Sequence, residues 1–292
     1  MAMSFSSNVK EELEKVIPNS RHCQVAELAA MIHFGCKIRL SNGYPEEITI
    51  VSENSSVSRK YFTLLKKTFM INGITEKVLQ AVKILDESGH LHSLSEEINP
   101  VLLKNSCCRR AFLRGAFLCF GSMSDPNKGY HLEFVCEYEA WAEQIRQVVA
   151  SFDIEARIIR RKKYYVVYLK EGAGIVDLLN VIGAHRCLME LENLRVEKEV
   201  RNSINRQVNC EAANITKTVN AANKQIQDIE LLQKHYGLSN LPENLRQMAK
   251  IRLEHPESSL QELGGYLNPP VGKSGVNHRL RKLSEIAEKI RA

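Results

Sequence analysis

The chain has 292 residues, 44% hydrophobic and 25% charged, with 40 Lys and Arg against 34 Asp and Glu for a formal +6. That length gives room for two domains or three small ones, each with its own core, and the composition excludes a short peptide scaffold and disorder of the whole chain. No apolar run approaches the roughly 18–20 residues that span a bilayer, and the start Met1-Ala2-Met3-Ser4-Phe5-Ser6-Ser7 has no basic segment leading into an apolar one, so a cytoplasmic protein is expected.

Residues 1–19 are expected to open with a helix. A repeat then emerges when the chain is laid over itself with a shift of 85 residues, which places Cys23, Ala26, Leu28 and Ala30 on Cys108, Ala111, Leu113 and Gly115. In both segments apolar residues recur at helical spacing. Small residues (Ala26, Ala29, Ala30; Ala111, Gly115, Ala116) line a face that admits a second backbone at close range, which predicts two helices packed on each other. Each is followed by a strand with period-two alternation, at 47–52 and 131–136. Amphipathic helices come next, 56–71 with Tyr61, Leu64, Leu65 and Phe69, and 138–152 with Trp141, Ile145, Val148 and Phe152. Strand regions at 75–85 and 155–169 and shorter helices at 92–98 and 171–182 complete two α-β-β-α-β-α units. Joined through the paired helices over a shared sheet, they predict one α+β domain over about residues 20–185, with repeats at about 20–100 and 105–185.

Residues 186–236 lose the strand signal and turn polar and Asn-rich, with apolar residues widely spaced at Ile204, Val208, Ile215, Val219, Ile226 and Ile229. A long, partly exposed helical linker is expected. From 237 to 292 the pattern sharpens into an all-α unit. Pro242 suits a helix's first turn, with Leu245, Met248 and Ile251 on one face. Ser259-Leu260-Gln261-Glu262 is a capping-box start for a short helix ending near Gly264-Gly265 or Leu267. Asn268-Pro269-Pro270-Val271-Gly272 forces a turn, and Ser274 is expected to cap a last helix whose stripe is Val276, Leu280, Leu283, Ala287 and Ile290.

Short helix, forced turn and a second helix with a basic outer face make a helix-turn-helix, whose second helix enters the major groove of double-stranded DNA by its N-terminal residues. The candidate contacts are Ser259, Gln261, Lys273, Ser274, Gly275, Asn277, His278, Arg279, Arg281 and Lys282, which offer groups for base edges and for phosphates. A solvated charged face is the competing reading. Charge favours DNA: residues 1–100 carry a net −1, 101–200 a net +2 and 201–292 a net +5, and 264–292 alone hold six Lys/Arg against two Glu. Arg160, Arg161, Lys162 and Lys163 fall at the tip of an expected β-hairpin beside Tyr164-Tyr165. A basic tip of this kind suits a secondary contact to a DNA backbone, and equally suits simple solubility.

No paired carboxylates, Ser/His/Asp set, phosphate-binding glycine loop or His/Asp metal spacing is present, so no catalytic, cofactor or metal site is expected. Gly172-Ala173-Gly174 reads as a helix-start turn, and His33 as a core or edge histidine. The eight cysteines, at 23, 36, 107, 108, 119, 136, 187 and 210, contain no C-x-x-C pair, and buried reduced thiols are expected.

The paired small-residue helices, each followed by β-β-α-β-α, resemble the LAGLIDADG homing endonucleases. In that family the acid just before the motif's last glycine holds the catalytic metal. By that resemblance the acid positions fall on Gly35 and Phe120, neither of which can bind a metal, so a degenerate, non-cleaving domain is implied. A degenerate LAGLIDADG domain, a linker and a C-terminal helix-turn-helix together resemble the WhiA family of Gram-positive sporulation and cell-division regulators over essentially the whole chain. The residues that carry the resemblance include Arg110-Ala111-Phe112-Leu113-Arg114-Gly115-Ala116-Phe117, Arg201-Asn202-Ser203-Ile204-Asn205-Arg206 and the stretch 273–283. It implies a nucleoid-associated transcriptional regulator that acts on promoters and influences cell division and chromosome segregation. Two other readings stand beside it: a nuclease with displaced acids, for which Glu27, Glu133 and Glu137 are the nearby carboxylates, and a scaffold whose N-terminal domain engages a protein partner or a second copy.

Overall fold

The computed structural model describes residues 4–41, 44–69 and 75–291. The chain divides into two compact units, Met1–Glu199 and Val200–Ala292.

In the first unit Phe5, Val9 and Leu13, four residues apart, bury one stripe of α1 (Phe5–Lys15), whose N-terminus is capped by the Ser4 hydroxyl. The expected helix pair forms as α2 (Arg21–Gly35) and α5 (Ser106–Phe120). Their backbones approach because Gly115 lacks a side chain: a Cβ there would lie 2.7 Å from the Glu27 carbonyl oxygen and 3.0 Å from Ala30 Cβ. Large apolar groups such as Leu28, Met31, Phe112 and Phe117 seal the rest of the contact in one continuous core.

After α2 come the antiparallel strands β1 (Cys36–Ser41) and β2 (Tyr44–Ile50), with Cys36 opposite Ile50, then α3 (Ser55–Phe69) and α4 (Thr75–Ala81). After α5 come β3 (Gly121–Met123), β4 (Leu132–Cys136), α6 (Glu139–Ala150), β5 (Arg157–Arg161), β6 (Tyr164–Leu169) and α7 (Gly172–Ile182). The unit is α+β, and its two repeats are unequal. Among the described residues there are two sheets instead of one shared sheet, the pair β1-β2 and a four-stranded sheet in the order β3-β4-β6-β5.

Two local expectations fail in the first repeat. The region 75–85 is not a strand. Val78, Leu79 and Val82 share one buried helical face, α4 occupies 75–81, and Lys83 at φ 59° ends it. Residues 92–98 form no helix, because side chains claim their backbone: Trp141 donates to the carbonyls of Leu94 and Glu96, and Gln144 both accepts from Ile98 N and donates to Ile98 O. Helix 171–182 appears as α7 and starts at Gly172 as read.

The polar stretch 186–236 is one helix, α8 (His185–His235). Its first turn is held by the Glu12 carboxylate, which accepts from the backbone N–H of Arg186 at 2.6 Å and Cys187 at 2.9 Å.

In the second unit the C-terminal part of α8 joins α9 (Glu243–Glu254), α10 (Leu260–Gly265) and α11 (Lys273–Arg291). Ile229 and Leu232 of α8 are fully buried with Met248, Leu263, Val276, Leu280 and Leu283. Asp228, also buried, pairs with Arg291 at 2.7 Å.

Candidate nucleic-acid interface

Ser259 closes the expected capping box: its hydroxyl accepts from Glu262 N at 3.3 Å, and the Glu262 carboxylate accepts from Ser259 N at 2.7 Å. Those bonds hold the Glu262 carboxyl below its usual range. The turn that follows is tight, since Val271 N donates to Gly264 O at 3.0 Å and a Cβ on Gly264 would collide with the Val271 carbonyl. Only glycine fits there. α11 then starts two residues earlier than expected. The Gly272 carbonyl accepts from Val276 N, so Gly272 holds the cap position and Ser274 lies inside the first turn.

Val276, Leu280, Leu283 and Ala287 bury one face of α11. At 3.6 residues per turn, Ser274, His278 and Arg281 point the opposite way, with Lys273, Asn277 and Lys282 also exposed. Gln261 is exposed on α10. Two candidates are less available. Arg279 is half-buried at the edge of the core stripe, and Gly275 packs under Val271, whose Cγ1 would lie 2.5 Å from a Cβ. Lys282 shares its charge with Glu285 at 3.5 Å. The surface is therefore a positive helix N-terminus with exposed donors, the arrangement that seats a major-groove helix.

The 160–163 segment does form a hairpin tip in the first unit, with Lys162 at φ 56° in the turn between β5 and β6. Arg160 lies over the Tyr165 ring, Lys163 over Tyr164 and Lys170 over Tyr168, while Arg161 reaches the Glu133 carboxylate at 3.5 Å. Lys170 was not singled out from the sequence, although the alternating tyrosines of β6 mark where cations could rest.

The three acids considered for hydrolysis do not converge. Glu27 is fully buried, with Lys60 Nζ and Arg114 Nε each 3.0 Å from its Oε1, and those cations also serve the carbonyls of Leu13, Val16 and Ile182. Burial pushes the Lys60 ammonium down, against the pull of Glu27. Glu133 pairs with His131 and Arg161, and Glu137 stands exposed. At the helix ends where the resemblance places acids, Phe120 stacks into an aromatic cluster with Phe34 at 4.8 Å and Trp141 at 6.4 Å, and Gly35 backs onto Cys119. The thiols are all free, but Cys107 on the first turn of α5 and Cys210 on the solvated middle of α8 are exposed rather than buried.

Fold and surface together define a helix-turn-helix protein that carries a degenerate LAGLIDADG-like domain. Family models match in chain order: the WhiA N-terminal LAGLIDADG-like domain over 21–85, the WhiA LAGLIDADG-like domain over 109–201 and the WhiA C-terminal HTH domain over 204–287. The chain belongs to the WhiA family. Relatives named probable cell division protein WhiA are 49% identical in Lachnoclostridium phytofermentans, covering 99% of this chain and 100% of that one, and 46% identical in Alkaliphilus oremlandii, covering 99% and 98%. The crystal structure of full-length DUF199/WhiA from Thermatoga maritima is similar over 98% of this chain and 99% of that one, with a TM-score of 0.60 at 31% identity. Among the described residues no helix is long and apolar enough to cross a membrane.

Proposed function

We propose that the chain is a non-catalytic, sequence-specific DNA-binding transcriptional regulator that acts on promoters, associates with the nucleoid, and serves cell division, chromosome segregation and, where it occurs, sporulation. The observation that carries this reading is the exposed, cation-rich N-terminal half of α11 opposite its buried stripe. The names of the relatives supply the cell-division context. Against cleavage stand Gly35 and Phe120 at the metal-binding positions of the related nucleases, since in-line hydrolysis in that fold needs carboxylates there.

The test is fluorescence anisotropy of the full chain on promoter duplexes found by chromatin mapping. Affinity should fall steeply with salt, each neutralised phosphate adding about −0.9 to the log–log slope. Arg281→Ala should cost about 1–3 kcal/mol on the preferred duplex and much less on a random one. Binding that ignores salt and sequence would refute the assignment, as would metal-dependent nicking of supercoiled plasmid. The scaffold reading draws on the net −1 of residues 1–100, which disfavours a polyanion and leaves that part of the chain for a protein partner or a second copy. A variant lacking DNA affinity but retaining cell-division function would favour it.

A further inference from the structure

The pseudo-symmetry that pairs α2 with α5 also pairs their first turns. His22 and Cys23 occupy the second and third positions of α2, and Cys107 and Cys108 those of α5, in keeping with the 85-residue repeat. Their ligand atoms all lie within 4.8 Å of one another. His22 Nδ1 is 3.1 Å from Cys108 Sγ and 3.4 Å from Cys23 Sγ. A tetrahedral zinc with bonds of about 2.3 Å to sulfur and about 2.0 Å to nitrogen needs donor-to-donor edges of about 3.5–3.8 Å, so modest side-chain adjustment suffices. Cys23 and Cys108 sit with Ala26 and Ala111 in a small buried cluster apart from the main core, whereas His22 and Cys107 face solvent and leave a path for the ion.

We propose that His22, Cys23, Cys107 and Cys108 form a structural zinc site that staples the N-termini of α2 and α5. One imidazole and three thiolates are a soft, closed donor set of the kind that selects zinc. On binding, the ion displaces three thiol protons to solvent and leaves the centre with a net −1. The N-terminal ends of two helices favour that charge, and Arg21, Arg109 and Arg110 are its neighbours in sequence. Without metal, burial and the neighbouring cysteines push the Cys23 thiol up to about 12, so zinc must displace its proton and affinity rises with pH.

The full chain, purified under reducing conditions without added metal, should contain about one zinc per molecule and, after exchange, show the near-ultraviolet thiolate-to-cobalt band of a sulfur-rich tetrahedral site. Cys107→Ser, an exposed position whose exchange leaves the core intact, should weaken zinc at least about tenfold in competition with a chromophoric chelator. Cys210→Ser, on α8, should leave it unchanged. Chelation should lower the melting temperature of the wild type by more than that of Cys107→Ser, with circular dichroism checking that both are folded. The proposal fails if the reduced, folded protein takes up neither zinc nor cobalt. It also fails if Cys107→Ser binds as tightly as wild type, or if mass spectrometry finds a disulfide linking Cys23 to Cys107 or Cys108 in place of metal.

Discussion

His33 is a buried imidazole whose Nε2–H donates to the Glu96 carbonyl at 2.8 Å, between the rings of Phe34 and Trp141 at 5.3 and 5.5 Å. Burial pushes its pKa down to about 4, and the hydrogen bond opposes this only in part. As pH falls below about 6.5 the unfolded chain takes up the proton first, while the folded unit follows near 4. Stability is therefore lost across that window, reaching about 3 kcal/mol below it. Trp141 is the only tryptophan, so its emission follows this locus. The urea midpoint by tryptophan emission should drop between pH 7 and pH 5, and His33→Gln should flatten the drop. An equal drop in the variant would place the acid sensitivity elsewhere. That His33 belongs to the core was legible from its apolar helix. Its clamp on 92–98 was not, because the partner carbonyl lies 63 residues away.

Whole elements were legible where one residue class fixed the geometry. The small residues of α2 and α5 announced a close helix pair, and Gly115 makes that close approach. Period-two burial at Leu132, Phe134 and Cys136 likewise placed β4. The failures came where a short apolar run fits either period, as at 78–85, or where distant side chains took over the backbone, as at 92–98. Gly115→Val should overpack the helix interface and cost about 1–3 kcal/mol, read as a lower urea midpoint of the first unit. Gly129→Val offers the contrast: no atom of the described residues lies within 4 Å of a Cβ there, so the midpoint should hardly move. Equal losses in the two variants would mean that backbone entropy, not the close approach, sets the need for glycine at 115.

At the scale of the whole molecule, turn chemistry and charge pointed to the C-terminal unit, but its N-terminal limit was hidden. Residues 186–236 read as linker because Asn and charged residues dominate them, yet Ile229 and Leu232 are fully buried in the helix-turn-helix core and Asp228 binds Arg291. A piece covering only 237–292 loses all three. Deleting a buried Ile or Leu side chain costs about 2–5 kcal/mol, and a unit of this size holds about 3–5 kcal/mol in total, so the short piece should be largely unfolded. Val200–Ala292 should instead melt cooperatively and bind the promoter duplex with the full chain's salt slope, since residues 201–292 carry the net +5. Met1–Glu199, with a net charge near zero, should add little affinity of its own. Circular dichroism melts and anisotropy on the three fragments decide this. A cooperative, DNA-binding 237–292 would show that the α8 residues are dispensable, and a Met1–Glu199 fragment that matches the full chain in affinity and sequence preference would move DNA reading to the LAGLIDADG-like domain.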